Sequence, residues 1–117
     1  MIDVIGFSSI PLSDTQHKML TRALNDAGDA IFPNRFRLVL RSFPEAHATA
    51  NAKYLINCIA LIPSSTTLEE KRRLSAALHG CVVDCLGDVN RERVTILFWN
   101  YAPDAFAADG VLSSDHI

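Results

Sequence analysis

The chain repeats itself, and the repeat limits its fold more than any single residue does. Residues 10–24 read IPLSDTQHKMLTRAL and residues 62–78 read IPSSTTLEEKRRLSAAL. Each stretch opens with Ile-Pro at the end of an apolar run and then offers a helix cap. Leu20-Thr21-Arg22-Ala23-Leu24 in the first aligns with Leu74-Ser75-Ala76-Ala77-Leu78 in the second. A strand-like segment follows each helix. Two strand–helix–strand units of roughly 50 residues result, a workable length for a βαβ unit.

The elements follow from local pattern. A first strand is expected over Ile2–Phe7. Ser13 then opens a helix with Gln16 as its capping-box partner. Leu20, Ala23, Leu24 and Ala27 recur at helical spacing, and Gly28 reads as the helix stop. Ile31 to Asn34 reads as a turn, Arg35–Ser42 as the second strand and Phe43 to Ala52 as a loop. A third strand is expected over Lys53–Ile62. Thr67 and Glu70 form a second capping box, for a helix running to about Leu86 before Gly87. Its apolar stripe is Leu74, Leu78, Cys81, Val82 and Cys85. The fourth strand is expected over Arg93–Trp99. The remainder is a tail with a short strand near Val111-Leu112.

These elements give one α/β domain (a two-layer α+β) over residues 1–117. Repeat one spans about 1–43, repeat two about 53–100, and the tail or hairpin 101–117. Strands within each unit should be parallel, and two helices should cover one face of a four-stranded sheet. The other face is also apolar: Leu97 and Trp99 point opposite to Val94, Ile96 and Phe98, and the third strand is apolar on both parities. So large a bare patch is unusual in a monomer, so a second subunit is expected to cover it, or else the tail.

Composition narrows function mainly by exclusion. A net charge of -2 gives no reason to expect a nucleic-acid or anionic-membrane partner. No apolar run approaches the length of a membrane-spanning helix. Asp3 interrupts the first apolar stretch, which also lacks a basic leader, so no signal peptide is expected. Cys58, Cys81 and Cys85 read as reduced core thiols of a cytoplasmic protein. His17, His47, His79 and His116 lack metal-ligand spacing, so neither metal nor cofactor is expected.

Arg35, Arg37 and Arg41 share a strand parity, opposite Phe36, Leu38 and Leu40. Arginine offers a planar fork for a carboxylate. A solvated face or ion pairs between subunits would use the same residues. Trp99, Tyr101 and Phe106 suit either a pocket wall near the tail or subunit packing.

The duplicated βαβ, with a strand from residue 1, an Ile-Pro turn and a short C-terminal hairpin, resembles the tautomerase superfamily. That group includes 4-oxalocrotonate tautomerase, macrophage migration inhibitory factor and malonate semialdehyde decarboxylase. Asn34-Arg35-Phe36-Arg37 through Pro44 resembles the Asp-Arg-Tyr-Gln strand of the decarboxylase branch. Ile31-Phe32-Pro33 with Arg35 and Arg37 resembles the carboxymethyl-hydroxymuconate isomerase branch. Leu74 to Leu86 followed by Arg91-Glu92-Arg93-Val94 resembles the inhibitory-factor branch.

The resemblance implies a homotrimer with sheets inside and helices outside. It implies an isomerase-type keto–enol chemistry on a small anionic organic acid. It also implies a catalytic N-terminal proline, whereas residue 2 here is Ile. The Met1 amine is the catalytic candidate in its place, or Met1 is simply the start of a strand. Arg35, Arg37, Asn34 and Trp99 are the substrate-binding candidates. Asn34 stands where the decarboxylase branch has a catalytic Asp, and Ser65 and Thr67 stand where it has two arginines. Thr95 and Leu97 replace the Tyr and Asn of the inhibitory-factor branch. Two functions follow: a divergent enzyme acting on or binding a carboxylate-bearing keto or enol acid, or a non-catalytic trimeric module.

Overall fold

The computed structural model describes residues 1–42, 55–87 and 93–115. The 43–52 loop, the start of the third strand at Lys53, Arg91, Glu92, His47 and His116 lie outside the described residues. The order is β1 (Ile2–Ser8), α1 (Asp14–Ile31), β2 (Phe36–Ser42), β3 (Leu55–Pro63), α2 (Leu68–Leu86) and β4 (Arg93–Tyr101). A 3-10 turn (Pro103–Ala105), β5 (Ala107–Ala108), β6 (Val111–Leu112) and a second 3-10 turn (Ser113–Asp115) complete it.

The main sheet has the order β2-β1-β3-β4. β1 is parallel to β2 and β3 is parallel to β4, as the two βαβ units require. β1 and β3 join the two units antiparallel. The start of β1 therefore lies beside the end of β3, and the two units sit side by side in one sheet.

Both helices start where the capping boxes place them. The Ser13 hydroxyl accepts from the Gln16 N–H while Gln16 Oε1 accepts from the Ser13 N–H. Thr67 and Glu70 make the same reciprocal pair. Each box satisfies two of the orphan donors of a helix start. The apolar stripes pack inward: Leu20 and Leu24 on α1, and Leu74, Leu78 and Val82 on α2, are buried. They meet Ile2, Val4, Leu38, Leu40, Ile56, Ala60 and Ile62 on one face of the sheet. Val94, Ile96 and Phe98 pack against this cluster from β4.

Several boundaries differ from expectation. α1 does not stop at Gly28 but runs to Ile31, and the Phe32 N–H closes the last turn on the Gly28 carbonyl at 2.9 Å. Gly28 serves another purpose: a Cβ there would collide with the Phe36 ring. The glycine is a close-approach site between α1 and β2, not a cap. β2 begins at Phe36, so Arg35 belongs to the preceding turn. β4 continues past Trp99 to Tyr101, because its pairing with β3 extends to Pro63. Of the three thiols only Cys58 is in the core; Cys81 is half-buried and Cys85 is exposed. The short strand at Val111-Leu112 is present and pairs with Ala107-Ala108.

α1 also closes one edge of the sheet. Asn25 Nδ2 donates to the Leu38 carbonyl at 2.9 Å and Asn25 Oδ1 accepts the Leu38 N–H at 2.8 Å. A His17 ring nitrogen lies 2.9 Å from the Leu40 carbonyl. Backbone groups of β2 that would otherwise be free to pair with another strand are thereby occupied.

The second face is largely bare. Three cross-strand rows lie on it. Arg37, Asp3, Leu61 and Trp99 form the first. Val39, Ile5, Ile59 and Leu97 form the second, wholly apolar. Arg41, Phe7, Asn57 and Thr95 form the third. Ile5, Phe7, Val39, Ile59, Leu61, Leu97 and Trp99 are all exposed in the single chain. The tail leaves this apolar row uncovered.

Candidate functional site

Chain direction places the starts of β1 and β2 and the ends of β3 and β4 at one end of the sheet. The Ile2 N–H donates to the Arg35 carbonyl at 2.6 Å, which ties the start of β1 to the turn before β2. The Ser64 N–H donates to the Tyr101 carbonyl at 2.8 Å, which ties the exit of β3 to the end of β4. The Tyr101 hydroxyl then reaches across and donates to the Met1 carbonyl at 2.9 Å. Met1 is thus joined to β4 although 100 residues separate them.

The tail makes this end concave. Phe106, just past the first 3-10 turn, stacks on Tyr101 with ring centroids 5.3 Å apart and planes inclined by 29°. The stacked pair borders two hollows of about 230 Å³ each. One is lined by Met1, Ser64, Ser65, Tyr101, Phe106 and Ser113, among others. The other is lined by Asp3, Leu61, Trp99, Tyr101, Ala105 and Phe106.

Charge is concentrated in the first cross-strand row. Arg37 Nε donates to Asp3 Oδ1 at 2.8 Å, and Arg37 Nη2 lies 2.7 Å from the same oxygen. The Asp3 side chain is 24% exposed and that of Arg37 is 68% exposed. Burial pushes the Tyr101 phenol above its ordinary value, and the neighbouring Asp3 charge pushes it the same way. Tyr101 therefore stays a protonated donor well above neutral pH.

The candidate residues do not form one cluster. Met1 is 50% exposed and opens into the first hollow. Trp99 lines the second. The Arg35 guanidinium lies 5.8 Å over the Phe32 ring and within electrostatic reach of Glu70 on α2. Arg37 is engaged by Asp3 on the opposite face. Strand parity linked the two arginines, but Arg35 sits in a turn, where alternation does not apply, and an aromatic face holds it. Asn34 takes a left-handed conformation (φ 61°), and its N–H donates to Asp29 Oδ1 at 3.0 Å. Ser65 joins the Met1 hollow, whereas Thr67 is spent on the α2 cap. Thr95 bonds to Asn57 in the third row, two rows from Asp3.

Asp3 and Ser64 are the residues that sequence reasoning missed. Asp3 had entered only as an interruption of an apolar run. Its parity, shared with Ile5 and Phe7, was the available signal for a carboxylate on the bare face. Among the described residues no group of three or more His, Cys, Asp or Glu could hold a metal. None of the described helices is long and apolar enough to cross a membrane.

Comparison with known proteins settles the lineage. The tautomerase enzyme family profile matches residues 56–116, just over half of the chain. No curated protein matches it in sequence. Among solved structures, a wild-type fused 4-OT described as a symmetric trimer superposes with a TM-score of 0.82 at 14% identity, covering 97% of this chain and 99% of that one. Malonate semialdehyde decarboxylase inhibited by 3-bromopropiolate gives 0.67 at 15% identity, covering 97% and 92%. Macrophage migration inhibitory factor from Toxoplasma gondii gives 0.66 at 15% identity, covering 94% and 98%. At these identities the superpositions speak to the fold alone. They agree with the βαββαβ order and helix-covered sheet described above, and together with the family profile they place this chain in the tautomerase family.

Proposed function

We propose that this protein binds a small carboxylate-bearing keto or enol acid at the start of β1 and interconverts its tautomers. The observation that carries the reading is the hollow in which Met1 meets Ser64, Ser65 and Tyr101. Tautomerisation asks little of a site: a group that moves a proton between oxygen and carbon, and donors for the charge that develops on oxygen. The Ser64 and Ser65 hydroxyls are such donors, with the Tyr101 hydroxyl spent on the Met1 carbonyl. Arg37, with Arg35 at the same sheet end, supplies positive charge for the carboxylate, Asn34 flanks the turn, and Trp99 is an apolar wall. Proton transfer falls to the Met1 amine or to a side chain beside it.

The active form in this reading is a homotrimer. The apolar row Val39–Ile5–Ile59–Leu97 supports self-association, since a patch of that size is seldom left bare. The three unpaired thiols suit a reducing compartment, and the cytoplasm is the proposed location. A second reading is a non-catalytic trimeric module. The engagement of Arg37 by Asp3 and of Arg35 by Phe32 favours it, because both guanidinium groups already have partners.

The test is ketonisation of phenylenolpyruvate and 2-hydroxymuconate by the wild type beside Arg35→Ala. Turnover above the solution rate that drops in the variant supports the enzyme. No turnover in either protein leaves the binding module as the better description.

A further inference from the structure

We propose that Asp3 is the proton-carrying residue of the second hollow, which shares the Tyr101–Phe106 wall with the Met1 hollow, and that Arg37 is its positioning residue; the proposal rests on the keto–enol reading above. Both Arg37 contacts fall on one carboxylate oxygen, Oδ1. Among the described residues nothing bonds Oδ2. A purely structural ion pair gains most when the fork of the guanidinium meets both oxygens. Here the pairing fixes the carboxylate and leaves one oxygen with its lone pairs available.

The surroundings fit that role. The Asp3 hollow is walled by Leu61, Trp99, Tyr101 and Phe106, whose polar groups are the Tyr101 hydroxyl and the Trp99 indole N–H. The Asp3 side chain is partly exposed, at 24%, and its charge is compensated by Arg37. The guanidinium has five N–H donors, so contacts to Oδ1 do not exhaust it. The others remain for the carboxylate of an incoming acid. Asp3 also lies inside β1, two residues past Met1, so its function does not depend on a free terminal amine.

The step balances on the substrate and Asp3 alone. Asp3 Oδ2 takes the enol O–H proton, leaving an enolate whose charge is compensated by the Arg37 guanidinium. The carbon–carbon double bond of the enolate then takes that proton from the Asp3 carboxyl. A C–H bond forms, the C–O bond becomes C=O, and the Asp3 carboxylate is regenerated. An Asp general base carries out enolisation chemistry elsewhere.

The experiment compares full-length wild type, Asp3→Asn and Asp3→Ala in phenylenolpyruvate ketonisation. Loss of a positioned general base lowers kcat by about 100-fold or more. Asp3→Asn should show that loss with KM changed by less than about threefold. Formate should restore activity to Asp3→Ala. If Asp3→Asn instead raises KM at unchanged kcat, Asp3 merely orients Arg37 and the proposal fails. It fails equally if Asp3→Asn retains wild-type kinetics. Should Asp3→Asn not fold, formate rescue of Asp3→Ala decides, and its absence overturns the assignment. A wild type with no turnover refutes the tautomerase reading itself, an outcome distinct from an active wild type that is indifferent to Asp3.

Discussion

Leu97→Asp should dissociate the assembly without unfolding the protomer. Leu97 ends the apolar row that crosses all four strands, and it is 61% exposed in the single chain. Full burial of a leucine side chain contributes about 1.5–3 kcal/mol. Covering the exposed 61% therefore contributes about 1–2 kcal/mol per protomer, or about 3–6 kcal/mol for three copies. Aspartate forfeits that term and adds the removal of a carboxylate from water, which costs several kcal/mol per ion. The sum is on the order of 10 kcal/mol per trimer, roughly seven decades in the association constant. Leu97 lies outside the buried core, so the folded protomer loses little. Sedimentation velocity at micromolar concentration reads the result: a trimer for wild type, a slower species for Leu97→Asp, and a weakened trimer for Leu97→Ala. A Leu97→Asp protein that sediments as the wild type does would refute the argument that this face is the interface.

Three further outcomes follow from local geometry. Gly28→Ala gains about 1 kcal/mol of helix propensity but drives a methyl into the Phe36 ring, and overpacking of that kind costs about 1–3 kcal/mol, so thermal melting should show a net loss that reverses in a Phe36→Ala background. The Thr67 backbone N–H and hydroxyl, with smaller help from Arg35 and Arg73, hold the Glu70 carboxyl below its usual 4.5. The cap's contribution is therefore complete above that pH and lost as pH falls through the lowered value; Glu70→Gln should flatten this acid-side dependence of Tm. Burial raises the Cys58 and Cys81 thiols to about 11, so iodoacetamide at neutral pH should label exposed Cys85 first, as read by peptide mass spectrometry.

What the sequence disclosed was whatever depends on near neighbours. Ser13 with Gln16 and Thr67 with Glu70 declare helix starts because each box is complete within four residues. Parity declared that Leu38 and Leu40 face one way and Val39 the other. Gly28 misled because the same residue type suits a helix stop and a close approach, and its decisive neighbour, Phe36, lies beyond the turn. Arg35 misled because parity was extended one residue past the strand into a turn. Asp3 was unreadable as a site residue for another reason. Its partner Arg37 is 34 positions away, and only the parallel register of β1 on β2 brings them opposite each other.

The duplication itself argues that the Asp3–Arg37 pair is a local specialisation. Aligning Ile10-Pro11 with Ile62-Pro63 sets Asp3 against Leu55. In β1 and β2 the paired positions are Asp3 and Arg37; in β3 and β4 they are Leu55 and Arg93. The arginine recurs in both units at the corresponding step, whereas the carboxylate is present in one. Antiparallel joining of β1 to β3 sends the two steps to opposite ends of the sheet. Between them lies the uncharged row Val39–Ile5–Ile59–Leu97. Subunits that pack on this middle row leave the Asp3 end at the rim of the contact, where the Tyr101–Phe106 stack already shapes a hollow. On the proposed trimer reading, the apolar face serves assembly while one charged end stays available for chemistry, and the unit that carries Asp3 is the one beside Met1, Ser64 and Tyr101.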